Sequence, residues 1–494
     1  MRPKALSKSR FCYGLQCLKQ LWWRVYEPEA PELVATPLLQ VNYDRGHLVG
    51  KRARAEFPGG TLIDHEHFQY AEKMASTAAA LAAGAPAIFE AAFASDGVFA
   101  AVDVLERRPN GFTLVEVKST VETKPQHLPD VAIQLHVLRG AGLQVPRAEV
   151  MHLNRDCRFP DLSNLFVRDD VTAAAELLLP SIPGHLARMK AALAGPLPVV
   201  AVGPHCDDPY ECPFKARCWP RVDEDHVTRL YGARGVAEGL LADGIELIRD
   251  IPEGTRLSEI QARQVRAVKT RKVVVERHLG KALGALVPPV AYLDFETIAP
   301  AIPAWPGCGP YMAVPVQVSC HVVAGPGRLA HHQHLADGPG DPRPAMAEAV
   351  LRACAGAATV VAWNAPFERR CLEHLATHVP ARRQALRDVV RRLVDLLPLV
   401  RDHVYHPGFG GSFSMKAVAP ALVPGLDYAG LEIGEGVTAS NVLEALLLGD
   451  AALEAADRAT VRGQLLEYCA LDTLAMVKVV ERLRELVPAL APGP

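Results

Sequence analysis

The stretch VAYLDFET, residues 290–297, sets two acids, Asp294 and Glu296, two apart in an otherwise apolar run. Such a run predicts a buried strand. A strand's period of two puts both carboxylates on one face and Leu293 and Phe295 on the other. A buried pair of acids is costly unless a cation joins them. Working outward, VPVQVSCHVV (314–323) and RLAHHQHL (328–335) predict two more strands, 342–355 a helix, and ATVVAWN (358–364) a fourth strand, with almost wholly helical sequence after it. That order predicts an α/β unit over 289–494, a mixed sheet covered by helices.

Two further segments add chemistry to this sheet. In WNAPFERR the strand ends at Asn364, and Glu368 falls in the first turn of the next helix. In YCALDT, Tyr468 and Asp472 stand four apart on a helix and so share a face. Four acids and a tyrosine suit hydrolysis by two Mg²⁺ or Mn²⁺ ions roughly 4 Å apart, with Tyr468 orienting the attacking water. Asp395, in LVDLL, is a substitute ligand for Glu368 or a plain helix-surface acid.

The ordered set resembles the DnaQ-like 3′–5′ exonucleases, the DEDD group with an RNase H-like fold. Asp294 and Glu296 match the first motif, Asn364 to Glu368 the second, and Tyr468 with Asp472 the third. In that family the second motif usually ends in Asp, where this chain has Glu368.

Ahead of this unit, IFEAAFA, VFAAVDVLER and FTLVEVKS are separated by the turn signals Ser95-Asp96-Gly97 and Pro109-Asn110-Gly111, which predicts a β-meander. The helix DVAIQLHVLRGAG, the strand EVMHLN and a long helix over about 171–194 follow. The hairpin register places Asp103 opposite Glu116 or Lys118, all on one face, with Val115 and Val117 toward the core. Asp103 and Glu116 can bind one or two Mg²⁺ or Mn²⁺ ions, and Lys118 can polarise water or offset phosphate charge. Glu90 and Gln134 point to the same cleft, and His47 is either a weaker candidate for it or a surface or helix-cap histidine. The set resembles the RecB-like PD-(D/E)XK nucleases, a restriction-endonuclease-like fold, with Gln134 as the later helix motif. That motif often continues to a tyrosine at the position Leu138 occupies here.

Cys206, Cys212 and Cys218 are spaced by five residues each, and Cys17 lies in a basic N-terminal segment. Four thiolates can hold a [4Fe–4S] cluster or zinc, with Cys12 the rival for Cys17. The arrangement resembles the iron–sulfur staple of AddB-type nucleases. Phrases such as LSKSRFCYGLQC, YLDFET, GGSFSMKAV and LLEYCALDT extend the likeness to an uncharacterised bacterial family that fuses a RecB-like half to a DnaQ-like domain. The organisation expected is a nuclease domain with its staple over 1–222, a helical basic linker over 223–288, and the exonuclease domain over 289–494.

The formal charge of −2 gives no global sign of a polyanionic partner. Two local patches suit either phosphate contacts or solvated helix faces: Arg2, Lys4, Lys8, Arg10, Lys19 and Arg24, then the seven basic residues of 263–281. Ser412–Lys416 suits either a phosphate contact or a helix cap. No apolar run reaches the ~18 residues of a membrane span, and eleven scattered cysteines argue against a secreted disulfide framework, so a cytoplasmic protein is expected. The function these readings imply is a two-site, metal-dependent nuclease acting on DNA, with a 3′–5′ exonuclease C-terminal half. It would serve repair, recombination or defence beside a helicase or repair partner. The alternatives are an RNA-processing exonuclease and a non-catalytic nucleic-acid-binding scaffold.

Overall fold

The computed structural model describes residues 6–66, 68–219, 222–232, 234–428, 430–431, 436–449 and 455–487, so Arg2 and Lys4 of the basic N-terminus lie outside the described residues. The chain divides into two compact units, one of residues 1–220 with 301–311, the other of 221–300 with 312–494. Both are mixed α/β. Among the described residues no helix is long and apolar enough to cross a membrane.

The first unit is built on strands β1 (Leu6–Ser7), β2 (Thr61–Leu62), β3 (Ala87–Ser95), β4 (Val98–Arg108), β5 (Gly111–Lys118), β6 (Arg147–Leu153) and β7 (Phe166–Asp170), in the order β2-β3-β4-β5-β6-β7. The meander β3-β4-β5 is antiparallel as its turn signals predict. Ser95 pairs with Val98 across Asp96 and Gly97, which both adopt positive φ, the geometry a two-residue hairpin requires. The helix His127–Gly140 carries the chain across to β6, parallel to β5, and buries Val131, Ile133, Leu135 and Leu138 against Ile88, Leu105, Leu114 and Val150.

The long helix expected over 171–194 is broken. Pro180 and Pro183 cannot donate to the helical ladder, and the segment divides into Thr172–Leu178, a 3₁₀ turn and Ile182–Ala194.

β1 decides the geometry of the first site. It pairs parallel with β4 at Val98 and Phe99, where β3 already holds the other edge of β4. It therefore lies on the edge that β5 follows only from Val104 onward. β4 and β5 fork beyond the pair Val104–Val115, and β1 stands beside the fork.

The second unit contains β8 (Val274–Val275), β9 (Val290–Ile298), β10 (Val314–Gly325), β11 (Arg328–Leu335), β12 (Thr359–Ala362), β13 (Leu393–Asp395) and β14 (Val404–Tyr405). The main sheet has the order β11-β10-β9-β12-β13, antiparallel through β9, with β12 and β13 parallel to it. The alternation read from VAYLDFET is realised. Ala291, Leu293 and Phe295 pack against the helices Arg343–Ala353 and Pro366–His378, and Val290 and Tyr292 pack toward the helix Ala455–Leu486. Residues 223–288 are more than a tether: Ala267, Leu279, Leu283 and Leu286 share a core with Val290 and Tyr292, and β8 pairs with β14. Arg263 of the second basic patch is buried, paired with Glu276 at 3.0 Å and donating to the Arg401 carbonyl at 2.8 Å, which removes it from any phosphate-binding surface.

Candidate metal centres

In the second unit the face of β9 that carries Asp294 and Glu296 meets Asp472 of the helix Ala455–Leu486. Their carboxylate oxygens lie within 4.8 Å of one another, and among the described residues this is the only such group of three metal-ligating side chains. Glu368 is buried in the first turn of its helix, and its Oε2 accepts no hydrogen bond. All four acids resist ionisation. Burial, then Asp472, pushes Asp294 up to about 8. Burial, then Asp294, pushes Glu368 up to about 9. Burial raises Glu296 and Asp472 as well. A cage of buried acids with an orphaned oxygen fits divalent cations, which supply the charge that desolvation makes costly.

Asp395 does not stand in for Glu368. It ends the short strand β13, which LVDLL did not reveal, and its Oδ1 caps the following helix at Leu397 N (3.0 Å) while accepting Asn364 N at 3.1 Å. It thereby fixes the turn that delivers Glu368, with Asn364 in the left-handed region at φ 64°. Tyr468 is buried beside Asp472 and Glu296. Sequence reasoning missed two neighbours: Tyr428, whose hydroxyl donates to Asp472 Oδ1 at 2.7 Å, and Cys469, whose thiol donates to Asp294 Oδ2 at 3.3 Å. Lys416, of the segment read as a phosphate contact or a cap, has its Nζ 5.3 Å from the Tyr468 ring centre and 5.8 Å from that of Tyr428. Ser412 accepts the Ser414 backbone N–H at 3.1 Å, so this serine orders the turn ahead of the helix Met415–Leu422.

In the first unit, Asp103 reaches across the fork and its Oδ2 accepts Val117 N at 2.7 Å, in place of a main-chain ladder bond. Glu116 is buried. Lys118 Nζ donates to its Oε1 at 2.6 Å and Gln134 Nε2 to its Oε2 at 2.8 Å. Asp130, which sequence reasoning missed, accepts from Lys118 at 2.6 Å. Lys8, the residue after β1, comes within 3.2 Å of both Glu116 oxygens. Burial, then Glu116, pushes Asp103 up to about 7. Burial acts on Glu116 in the same sense, but Lys118 and Lys8 outweigh it and hold that carboxyl well below the usual range. Glu90, at φ 57°, lies opposite Asp103 between the pairs Phe89–Val104 and Ala91–Val102, with Arg54 at 4.0 Å. His47 is exposed, and Leu138 is buried in the core.

None of the eleven cysteines forms a disulfide. Cys17 joins the helices Lys8–Gln16 and Leu18–Tyr26, and the adjacent Gln16 amide ties down the 204–218 loop through the His205 and Tyr210 carbonyls at 2.9 and 2.6 Å. Burial first, with Cys17 and Cys206 nearby adding to it, disfavours the Cys212 thiolate, and this cysteine packs with Cys218 against Trp23 and Phe214. Cys12 faces the other way, beside Asp130 and Lys8, where burial first and Asp130 next push its thiol up to about 12, so it is no rival to Cys17. No three of these cysteine sulfurs lie within 4.8 Å of one another.

A family model described as a domain of unknown function (DUF2779) matches residues 291–414. No curated protein matches the chain. The matched stretch carries Asp294, Glu296 and Glu368 and stops short of Tyr468 and Asp472.

Proposed function

We propose that this chain is a metal-dependent nuclease with two phosphodiester-cleaving centres. The second unit is read as an RNase H-like, DnaQ-type 3′–5′ exonuclease, and the first as a RecB-like PD-(D/E)XK nuclease with a [4Fe–4S] staple on Cys17, Cys206, Cys212 and Cys218. The observation that carries the proposal is the convergence of Asp294, Glu296 and Asp472 within 4.8 Å, with buried Glu368 and Tyr468 beside them. Asp294, Glu296, Glu368 and Asp472 would hold two Mg²⁺ or Mn²⁺ ions, which would supply Lewis acidity and activate water for phosphodiester hydrolysis.

The chain's own residues do the rest. Tyr428 holds Asp472 in position, Tyr468 orients the attacking water, and Lys416 places a positive charge at the tyrosine pair, where a phosphate's negative charge is favoured. In the first unit Lys118 offsets charge on the phosphorane-like transition state, and Gln134 fixes Glu116. A second acidic centre in the same chain favours a polymeric substrate with repeated phosphodiesters. DNA is the substrate proposed, in cytoplasmic repair, recombination or defence alongside a helicase or repair partner.

Purified protein with Mn²⁺ is expected to degrade end-labelled DNA, and the Asp294→Ala form to lose the exonucleolytic part. Faster turnover of a matched RNA oligonucleotide would move the assignment to RNA processing. Retained binding in gel shifts without metal-stimulated cleavage would reduce the chain to a scaffold.

A further inference from the structure

Positive charge gathers next to the second unit's carboxylate cage. Residues 366–392 hold seven arginines, no lysine and three acids, and one of those acids is Glu368 of the cage itself. The basic stretch at 263–281 is partly spent on the fold, since Arg266 joins the buried Arg263 at Glu276, 2.7 Å away. Most of the arginines in 366–392 are not spent in this way.

They stand on a helical hairpin. The helix Pro366–His378 buries Glu368, Leu372 and Leu375 and leaves Arg369 and Arg370 exposed. Arg370 lies over the Phe367 ring at 5.9 Å, and its charge eases the ionisation that the burial of Glu368 opposes. The helix Arg383–Arg391 buries Leu386 and Val389 and turns Arg383 and Arg387 outward, one helical turn and about 6 Å apart along the axis. Arg382 and Arg391 are ion-paired, with Glu348 and Asp388. Among the described residues Arg369 and Arg387 make no hydrogen bond or ion pair, and Arg383 donates to the Ala376 carbonyl at 3.2 Å without meeting an acid. Glu373 is the single exposed acid on the two helices.

Like charges one turn apart on a helix repel, and an anion laid across them relieves that repulsion. A guanidinium suits phosphate in particular, because its planar fork takes two oxygens at once. Guanidiniums spread over two helices fit a repeating polyanion better than one isolated phosphate. We infer that this hairpin grips the sugar-phosphate backbone of a single nucleic-acid strand whose end lies in the cage, with Arg369, Arg370, Arg383 and Arg387 on its phosphates. The inference rests on the nuclease reading of the cage. Contacts of this kind position a strand without reading its bases, so the grip is indifferent to sequence.

The test is the salt dependence of strand binding by the full chain carrying Asp294→Asn and Asp472→Asn, which keep the strand intact. Fluorescence anisotropy of a labelled oligothymidylate of about 20 nucleotides reads the affinity over a series of salt concentrations. Adding Arg369→Gln and Arg387→Gln is expected to make the log–log salt slope shallower by about 1.4, two phosphate contacts at about 0.7 each. Arg369→Lys with Arg387→Lys, which keeps both charges, is expected to retain most of the slope. Lys478→Gln with Arg482→Gln removes two cations from the helix on the opposite face of the sheet and is expected to leave the slope in place. A slope untouched by the Arg369 and Arg387 changes, or lowered equally by the Lys478 and Arg482 changes, would overturn the inference. Stepwise 3′ shortening by the protein with its cage intact would then leave the nuclease reading standing. A slope that falls as expected, with no metal-stimulated shortening, would keep the strand-binding surface and overturn the nuclease reading instead.

Discussion

The Tyr428 hydroxyl donates to Asp472 Oδ1 at 2.7 Å, bringing a loop residue into the carboxylate cage from 44 positions away in sequence. Asp472 also faces Tyr468 one helical turn back, so two tyrosines converge on one acid. The Lys416 ammonium beside both rings adds a charge that favours the ionised carboxylate.

Removing the Tyr428 hydroxyl removes a hydrogen bond to a charged group, a loss of about 1.5–3 kcal/mol. Tyr428→Phe is therefore expected to lower exonuclease kcat by roughly 10- to 100-fold while the fold is retained. Steady-state kinetics on a single-stranded oligonucleotide checks this. Unchanged kcat would make the contact incidental.

The raised carboxyls give the metal-free protein a pH dependence of defined sign. Asp294 and Glu368 bind protons more tightly folded than unfolded, so their contribution is fully present below the unfolded values of 3.8 and 4.5 and is lost as pH rises through about 8 and 9. In chelator, Tm is expected to fall between about pH 5 and about pH 9. Asp294→Asn, which abolishes one of these titrations, should raise the Tm at about pH 8 by roughly 2–4 °C, the shift given by about 1 kcal/mol in a domain of this size. Added Mn²⁺ should stabilise the unmodified protein more as pH rises, because the ligands must lose protons to bind. A Tm that rises with pH in chelator would contradict this.

These relationships differ in how far the sequence reveals them. Alternation in VAYLDFET and the i, i+4 spacing of Tyr468 and Asp472 are local signals, and the helix and strand they predict are present. β13 spans only Leu393–Asp395, too short for any period to register, so Asp395 reads as a helix-surface acid until its capping bonds are seen. The edge strand β7, FVRDD, is mostly polar and carries no apolar run. Lys8 looks like a solvated charge at a helix start, and only the insertion of β1 beside the fork brings it to Glu116 across 108 residues. Contacts that close such loops depend on strand order, which no local pattern encodes.

The cysteine set makes a separate prediction. Anaerobically purified protein should contain iron and acid-labile sulfide, and Cys17→Ser should lose both. A clasp closing a loop of roughly 190 residues contributes on the order of 4–5 kcal/mol through chain entropy, so the variant's first unit should also melt markedly earlier. Iron content unaffected by Cys17→Ser would remove this residue from the ligand set.

The Asp294, Glu296, Glu368 and Asp472 cage is tested by the product ladder from 5′-end-labelled single-stranded DNA with Mn²⁺. The unmodified protein and Lys118→Ala should both shorten the strand stepwise from its 3′ end, while Asp294→Ala and Asp472→Ala leave that ladder missing. An identical ladder from all four proteins, or none from the unmodified protein, would contradict the account.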